Sequence, residues 1–374
     1  MTIAFFGNFM SHHVAPLSIE LEKLVGKGNY YFVACEPLHE ERANMGYASM
    51  NNKYDFIVRS YESVREYQRT LQIAADVDVA ILGSCLPIIH KIRRKANKLT
   101  FLYRERLFKN GTWRRFLPWT AYKVIRDYTS VRNKQFYFLG ASAYAGNDVT
   151  LCGFPKEKCL KWGYFPEFES YGSESKECGP LKILWCGRMI WWKHPEHAVF
   201  VADYLRSKNI QFEMTIVGDG EKSLEVNTLI SNKKLSSYIT RKSFVKPEEI
   251  RSLMKAADIY LFTSGREEGW GVVLNEAMNC RCAVIANVNA GSTPYLIKDS
   301  NTGFVYDGTI ESLYDSMDSL LKVNANDISE KAYNYLELMW SPRVAAENLV
   351  DFASEILSYN KVLSIIDGPC SNAF

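Results

Sequence analysis

The chain has 374 residues, of which 47% are hydrophobic and 23% charged, and its formal net charge is +3. That length suits two domains of ordinary size, and the composition is that of a folded globular protein. No apolar run reaches the ~18 residues that mark a membrane-spanning helix, and Met1–Phe6 lacks the basic flank and cleavage site of a signal peptide. The nine cysteines are an odd number without a C-x-x-C pair. Cys35, Cys186 and Cys282 lie in apolar, strand-like runs. They read as reduced, buried thiols of a cytosolic protein.

Short β-like runs alternate with helical patterns along the chain. The first half reads as strands Ile3–Gly7, Tyr30–Cys35, Phe56–Val58, Val79–Leu82, Leu99–Tyr103 and Phe136–Leu139, with helices Pro16–Leu24 and Tyr61–Ala74. A polar, aperiodic stretch rich in Gly and Ser, Pro166 to Pro180, reads as a linker. The second half reads as strands Ile183–Cys186, Glu213–Val217, Ile239–Arg241, Ile259–Phe262, Ala283–Ala286 and Gly303–Val305. Helices Pro195–Lys208, Pro247–Lys255 and Ile310–Lys322 fall between or after them, and Ser341–Tyr359 is helical in pattern. Such alternation predicts α/β halves with parallel sheets covered on both faces. Ligands of such sheets bind at the carboxyl ends of the strands.

The densest chemistry lies between Asp258–Ser264 and Cys282–Ala286, in the stretch Glu268-Gly-Trp-Gly-Val-Val-Leu-Asn-Glu276. Gly269 and Gly271 let a ligand approach the backbone, and a helix start offers N–H groups to an anion. Two glutamates flanking an anion site suit a ligand that carries hydroxyls as well as phosphate. Glu276 stands in an otherwise apolar helix start, where a carboxylate is costly without a partner. Upstream, Arg188 and Lys193 follow the strand Ile183–Cys186 at its carboxyl end, where a guanidinium fork and an ammonium can neutralise a diphosphate.

The window Glu268 to Met278 resembles the signature of retaining GT-B glycosyltransferases, glycosyltransferase family 4 in particular. In that family the first Glu contacts donor-sugar hydroxyls and the second accepts hydrogen bonds from the ribose diol. The neighbouring Glu267 is set aside because the spacing to Glu276 selects Glu268. Cys186-Gly187-Arg188, with Lys193 five residues on, resembles the basic pair that holds the donor diphosphate. Val217-Gly218-Asp219-Gly220 resembles the strand-end turn of the same half. Ser243-Phe244-Val245 resembles the segment beside the base. Trp270 replaces the family's usual Phe.

The resemblance implies a GT-B fold, with two doubly wound Rossmann-like domains facing a central cleft. Residues 1–165 would form an acceptor-binding domain and 181–340 the nucleotide-sugar domain, joined by a linker at 166–180. Residues 341–374 would cross back as a helix onto the first domain. It implies a metal-independent, retaining glycosyltransferase of hexosyltransferase type. A nucleotide diphosphate sugar, UDP-linked by preference, would be its donor substrate, with no cofactor and no metal ligand. The catalytic set is then Arg188, Lys193, Glu268 and His13. The substrate-binding set is Gly7, Asn8, His12, Val245, Gly269, Trp270, Gly271, Val272 and Glu276. The family often has paired glycines after the first strand, where this chain has only Gly7. Two histidines stand there instead, and His12 and His13 are not separable by sequence. The diphosphate itself would help deprotonate the acceptor.

Residues 91–134 hold 14 Lys or Arg against Glu105 and Asp127. Aromatics are interleaved, from Phe101 to Tyr128, and the mix reads as an interfacial segment for an anionic membrane surface. The implied acceptor is a lipid-linked glycan of cell-surface polysaccharide synthesis. The implied location is cytoplasmic, peripheral at the inner face of a membrane. Nucleic acid is the rival partner for a basic-aromatic mix, but no binding motif accompanies it. Three signals point elsewhere and are weak. Asp76-Val-Asp78 matches a metal-binding D-x-D but precedes a strand. Gly218-Asp-Gly220 lacks the third glycine of a dinucleotide fingerprint, with Ser223 in its place. His194-x-x-His197 could offer two nitrogens to a metal, but a helix-start pair is the simpler reading. The alternatives to a transferase are a GT-B-fold sugar-nucleotide epimerase and a non-catalytic scaffold subunit.

Overall fold

The computed structural model describes residues 1–38, 49–168, 179–243 and 245–374. Most of the stretch predicted as a linker, and Phe244, lie outside the described residues. The chain forms two compact units, Met1–Glu167 with Met339–Phe374, and Phe168–Leu338.

The first unit is built on seven parallel strands in the order β3-β2-β1-β4-β5-β6-β7. These are β1 (Ile3–Gly7), β2 (Tyr30–Ala34), β3 (Ile57–Arg59), β4 (Val79–Leu82), β5 (Thr100–Arg104), β6 (Phe136–Gly140) and β7 (Cys159–Lys161). Strands β1, β4 and β6 are buried at every position, which is why they read as unbroken apolar runs. The order reverses between β1 and β4, so the loop after β1 opens at a topological switch point. The helix Pro342–Tyr359 belongs to this unit. Its start is fixed by the Ser341 hydroxyl, which accepts from the Val344 amide, and by Pro342 in the first turn. Its buried face packs on the helix Ala15–Val25, and the Phe352 ring meets Tyr137 edge-on at 5.3 Å.

Several cations of the basic segment turn inward. Arg93 is fully buried in the helix Pro87–Ala96. Its guanidinium donates to the carbonyls of Ala74, Val77, Asp78 and Leu99 and to the Thr100 hydroxyl. Five donors and five acceptors satisfy a charge that would otherwise be prohibitive to bury. Arg104 donates to the Leu82 and Gly83 carbonyls, and Arg106 lies 3.7 Å from the Asp148 carboxylate. These cations are bonded within the first unit around β4 and β5 and are turned away from a surface partner, which narrows the interfacial reading of 91–134. The D-x-D pair is likewise structural at Asp78, whose carboxylate accepts from the Thr2 amide at 2.8 Å and the Thr2 hydroxyl at 3.0 Å.

The second unit has six parallel strands in the order β10-β9-β8-β11-β12-β13. These are β8 (Leu181–Cys186), β9 (Phe212–Val217), β10 (Ile239–Lys242), β11 (Ile259–Phe262), β12 (Ala283–Asn287) and β13 (Phe304–Tyr306). Its core gathers Ile183, Trp185, Met214, Ile216, Leu261 and Ile285 with apolar faces of the covering helices. The order reverses between β8 and β11, which pair through Ile183–Ile259 and Leu184–Tyr260. The loops after these two strands therefore diverge around a crevice. No helix among the described residues is long and apolar enough to cross a membrane. No disulfide is present among the described residues.

Candidate active site

The switch point of the second unit collects the predicted donor residues. After β8 the chain passes through Gly187 to an exposed Arg188, whose guanidinium carbon lies 6.0 Å from the Trp192 ring centre. A 3-10 turn, Trp191–Lys193, then brings the lysine back under the strand end. The Lys193 ammonium pairs with the Glu268 carboxylate, which comes from the loop after β11. Both side chains are mostly buried, at 15% and 16% exposure. The two residues that sequence assigned to phosphate and to sugar thus meet as an ion pair.

Two glycines press a third loop onto this turn. Gly218 has φ of +134°, and a Cβ there would stand 1.8 Å from the Gly187 carbonyl oxygen. A Cβ on Gly220 would stand 2.6 Å from the Met189 oxygen. Only glycine permits this contact of main chain with main chain. The Asp219 carboxylate accepts from the Gly220 amide at 2.8 Å, which closes the turn.

The loop after β11 is shaped in the same way. Gly271 has φ of +86°, and a Cβ there would come within 2.3 Å of the Phe262 ring. Trp270 is fully buried, with its indole N–H donating to Asn275 at 2.8 Å. Its side chain therefore anchors the loop from below. Val245 is buried as well. Val272 precedes the helix Val273–Asn279, which carries Glu276 in its first turn. Seven residues make only a weak helix dipole. Burial pushes the Glu276 carboxyl up to about 7, with the Arg251 charge pulling the other way. Burial also pushes the nearby Cys186 thiol up to about 12, with the Glu276 charge adding to the shift. That thiol stays neutral and is no nucleophile at physiological pH.

A hydrogen-bonded chain that sequence did not reveal fixes the turn. The Thr263 hydroxyl accepts from the Trp185 indole at 2.7 Å and donates to the Lys193 carbonyl at 2.5 Å. The Tyr306 hydroxyl donates to the Thr263 carbonyl at 3.4 Å and sits 3.0 Å from His197 Nδ1. The Gly265 amide donates to the Trp192 carbonyl at 2.7 Å. The loops bearing Lys193 and Glu268 are thereby tied to each other through main chain. The sole sequence signal was a Thr directly after an apolar strand.

His194 adopts a left-handed φ of 47° and its ring stacks on His197 at 4.9 Å. With Glu196 they form a group whose ligating atoms lie within 4.8 Å of one another. His194 Nδ1 is 3.1 Å from the Glu196 carboxylate. Burial, followed by the nearby His194 charge, holds His197 down to about 4. Neutral imidazoles could ligate a metal; here their Nδ1 atoms bond Glu196 and the Tyr306 hydroxyl, which braces the turn.

In the first unit, Gly7 ends β1 and a Cβ on it would meet the Phe32 ring at 3.0 Å. Asn8 accepts from the Glu36 amide at 2.8 Å, and Asn51 accepts from the Met10 amide at 2.8 Å. These contacts hold the loop that presents His12 and His13, whose rings lie 3.8 Å apart. His12 is the more exposed of the two.

The family model for glycosyl transferases group 1 matches residues 169–335. The amylovoran biosynthesis glycosyltransferase AmsK of Erwinia amylovora is 27% identical over 187 residues, which cover 48% of this chain and 46% of AmsK. The alpha-D-kanosaminyltransferase of Streptomyces kanamyceticus is 28% identical over 137 residues, covering 37% of this chain and 34% of that protein. The matches span less than half the length of these relatives. Among solved structures, HepE of Anabaena in complex with UDP aligns with a TM-score of 0.70 at 14% identity, covering 95% of this chain and 100% of HepE.

The chain has a GT-B fold, and residues 169–335 are similar to the group 1 glycosyl transferases.

Arg188, Lys193, Glu268 and Glu276 all lie within the stretch that the group 1 model covers. The likeness to HepE reaches the first unit too, where it speaks for the fold. Further HepE structures hold UDP with glucose, and UDP-glucose.

Proposed function

We propose that this GT-B protein is a retaining glycosyltransferase that moves a hexose from a UDP-sugar to an acceptor hydroxyl, the acceptor being a lipid-linked glycan. The observation that carries the reading is the Arg188, Lys193 and Glu268 group at the β8–β11 switch point, with Glu276 one short helix away. UDP and UDP-glucose in HepE support the choice of donor, and the names of AmsK and the kanosaminyltransferase support sugar transfer.

In this reading Arg188 and Lys193 take up the diphosphate. Lys193 exchanges its carboxylate partner for phosphate, and the released Glu268 accepts hydrogen bonds from the sugar hydroxyls. Glu276, as a carboxylate, accepts from the ribose diol. The bond between the anomeric carbon and the β-phosphate oxygen breaks. A bond from that carbon to the acceptor oxygen forms on the same face. The acceptor proton passes to the departing phosphate oxygen, and UDP leaves. The cationic pair stabilises charge that grows on the leaving group, which acts on the barrier itself, and the Thr263 chain holds the pair in place. We assign His13, with His12 beside it, to orienting the acceptor hydroxyl or touching the donor. The reading needs no metal, because two cations carry the charge that a metal would neutralise.

A donor screen tests it. UDP-, GDP-, dTDP- and ADP-sugars are offered to the protein and to Glu276→Ala, with thermal shift and slow donor hydrolysis as readouts. Stabilisation by one UDP-sugar, lost in the variant, is the expected result. Silence toward every donor from folded protein would sink it. NMR of the product's anomeric proton decides retention, and turnover in EDTA decides metal independence.

A further inference from the structure

Residues 111–127 form a projection that faces outward almost entirely. The 3-10 turn Thr112–Phe116 and the helix Pro118–Asp127 contain no buried residue. Yet Trp113, Phe116, Trp119, Tyr122 and Ile125 are each at least 58% exposed. The projection is pinned at both ends, by Phe108 at 1% and Tyr128 at 6% exposure. On the helix, Val124 packs toward the core of the first unit. Trp119 and Tyr122 lie on the opposite side, with ring centres 6.5 Å apart. A large apolar group held in water by a short, anchored element marks an interaction surface.

The charges say what kind. Arg114, Arg115, Lys123 and Arg126 stand against Asp127 alone in this stretch. Asp127 is already bonded by Arg126 at 2.6 Å. Arg115 lies 4.7 Å from the Phe116 ring centre and Arg114 5.8 Å from that of Trp113. Cations therefore sit level with the aromatic rings. The fully buried Arg93 and the inward Arg104 and Arg106 contribute nothing to this face. Tryptophan and tyrosine rings interleaved with Arg and Lys match the boundary layer of a bilayer. Rings enter at headgroup depth there, while cations meet lipid phosphates. We propose that residues 113–126 are a docking surface for a membrane that contains anionic lipid. The surface uses none of the donor-site residues and stands whether or not the sugar-transfer reading holds.

The test is co-sedimentation of the full chain with vesicles of phosphatidylcholine alone, or with about one third phosphatidylglycerol. Two variants accompany it, Trp113→Ser/Phe116→Ser/Trp119→Ser and Arg114→Glu/Arg115→Glu. All five positions lie outside the core, so the unfolding midpoint and any donor-induced shift are expected to match wild type. Anionic vesicles are expected to bind wild type at least tenfold more tightly than neutral ones, since each cation near such a surface adds about fivefold. Each variant is expected to lose at least tenfold. Added salt should weaken binding in wild type more than in the charge-reversed variant. The proposal is overturned if wild type ignores anionic vesicles, or if the variants bind as it does. It is also overturned if wild type self-associates without lipid and the aromatic variant is monomeric, because the occupant is then a second copy. Displacement from vesicles by single-stranded RNA with higher affinity would overturn it in favour of nucleic acid.

Discussion

At the switch point of the second unit, the loops after β8 and β11 are fixed by close main-chain packing at Gly218, Gly220 and Gly271. A buried threonine bridge and a cation–carboxylate pair add to this. At the switch point of the first unit, the loop after β1 has one glycine, side-chain amide contacts through Asn51, and two adjacent imidazoles. The sheets follow the same doubly wound plan, and in the reading proposed above the difference lies in what each site must hold. A diphosphate presents fixed charge at fixed spacing and repays a rigid cradle. A hydroxyl acceptor presents no charge and is served by adaptable polar groups. Rigid cradles are written in glycines and charges, which explains why the second unit reads so much more clearly as a sequence.

The sharpest way to break this comparison is to remove the cations. Lys193→Ala and Arg188→Ala are each expected to lower kcat by about 10²- to 10³-fold. Steady-state kinetics with a saturating donor checks this, and a loss below tenfold would remove them from catalysis. His13→Ala and His12→Ala are expected to cost less, by about tenfold or below for the one that does not act.

The glycines give a second contrast. Gly271→Ala places a Cβ into the Phe262 ring at a left-handed φ, and should destabilise by about 2–4 kcal/mol in denaturant unfolding. Gly7→Ala meets only the edge of the Phe32 ring, which can give, and should cost about 1 kcal/mol or less. Equal losses would erase the distinction between a rigid and an adaptable loop.

Thr263→Val is a finer probe. It removes the bond to the Lys193 carbonyl and leaves the Trp185 indole without its acceptor. A fall in kcat of about tenfold with little change in KM is expected, with Thr263→Ser restoring most of it. Loss of stability alone, with kcat intact, would make the threonine merely structural.

The smallest effect concerns Glu276. Its carboxyl is raised from 4.5 to about 7 by burial, so between those values the native state holds a proton that the unfolded chain has released. Stability from this group therefore falls as pH rises through that window. Glu276→Gln should melt a few degrees above wild type at about pH 8, with the gap closing toward about pH 5. Donor affinity in wild type should rise with pH through about 7, as the accepting carboxylate forms, and the variant should lack that dependence.

Strand positions were legible because buried parallel strands are continuous apolar runs, as in β4 and β12. The three-residue β7 and the weakly amphipathic helix Ser223–Asn232 carried too little pattern to be drawn. The carboxylate pair was legible because both members sit in one loop and its helix. The Lys193–Glu268 pair and the Thr263 bridge join residues 70 or more positions apart, and only the sheet brings them together. The burial of Trp270 was not legible, because the bond of its indole to Asn275 inside the core shows only in the folded loop. The run of cations looks uniform as a sequence, although part of it is buried. Arg93 gathers its acceptors from two short segments, Ala74 to Asp78 and Leu99 to Thr100, which lie on either side of it in sequence.

The return of Pro342–Tyr359 to the first unit has a consequence for biogenesis. On the ribosome the second unit is complete once Leu338 has emerged, because it is a single continuous segment. The first unit, although made first, must wait for a helix whose Phe352 packs against Phe101 and Tyr137. Its sheet therefore stays partly uncovered throughout synthesis of the second unit. Contacts of such long sequence separation form late and slowly. A chain stalled before the last helix would hold a finished second unit and an aggregation-prone first one.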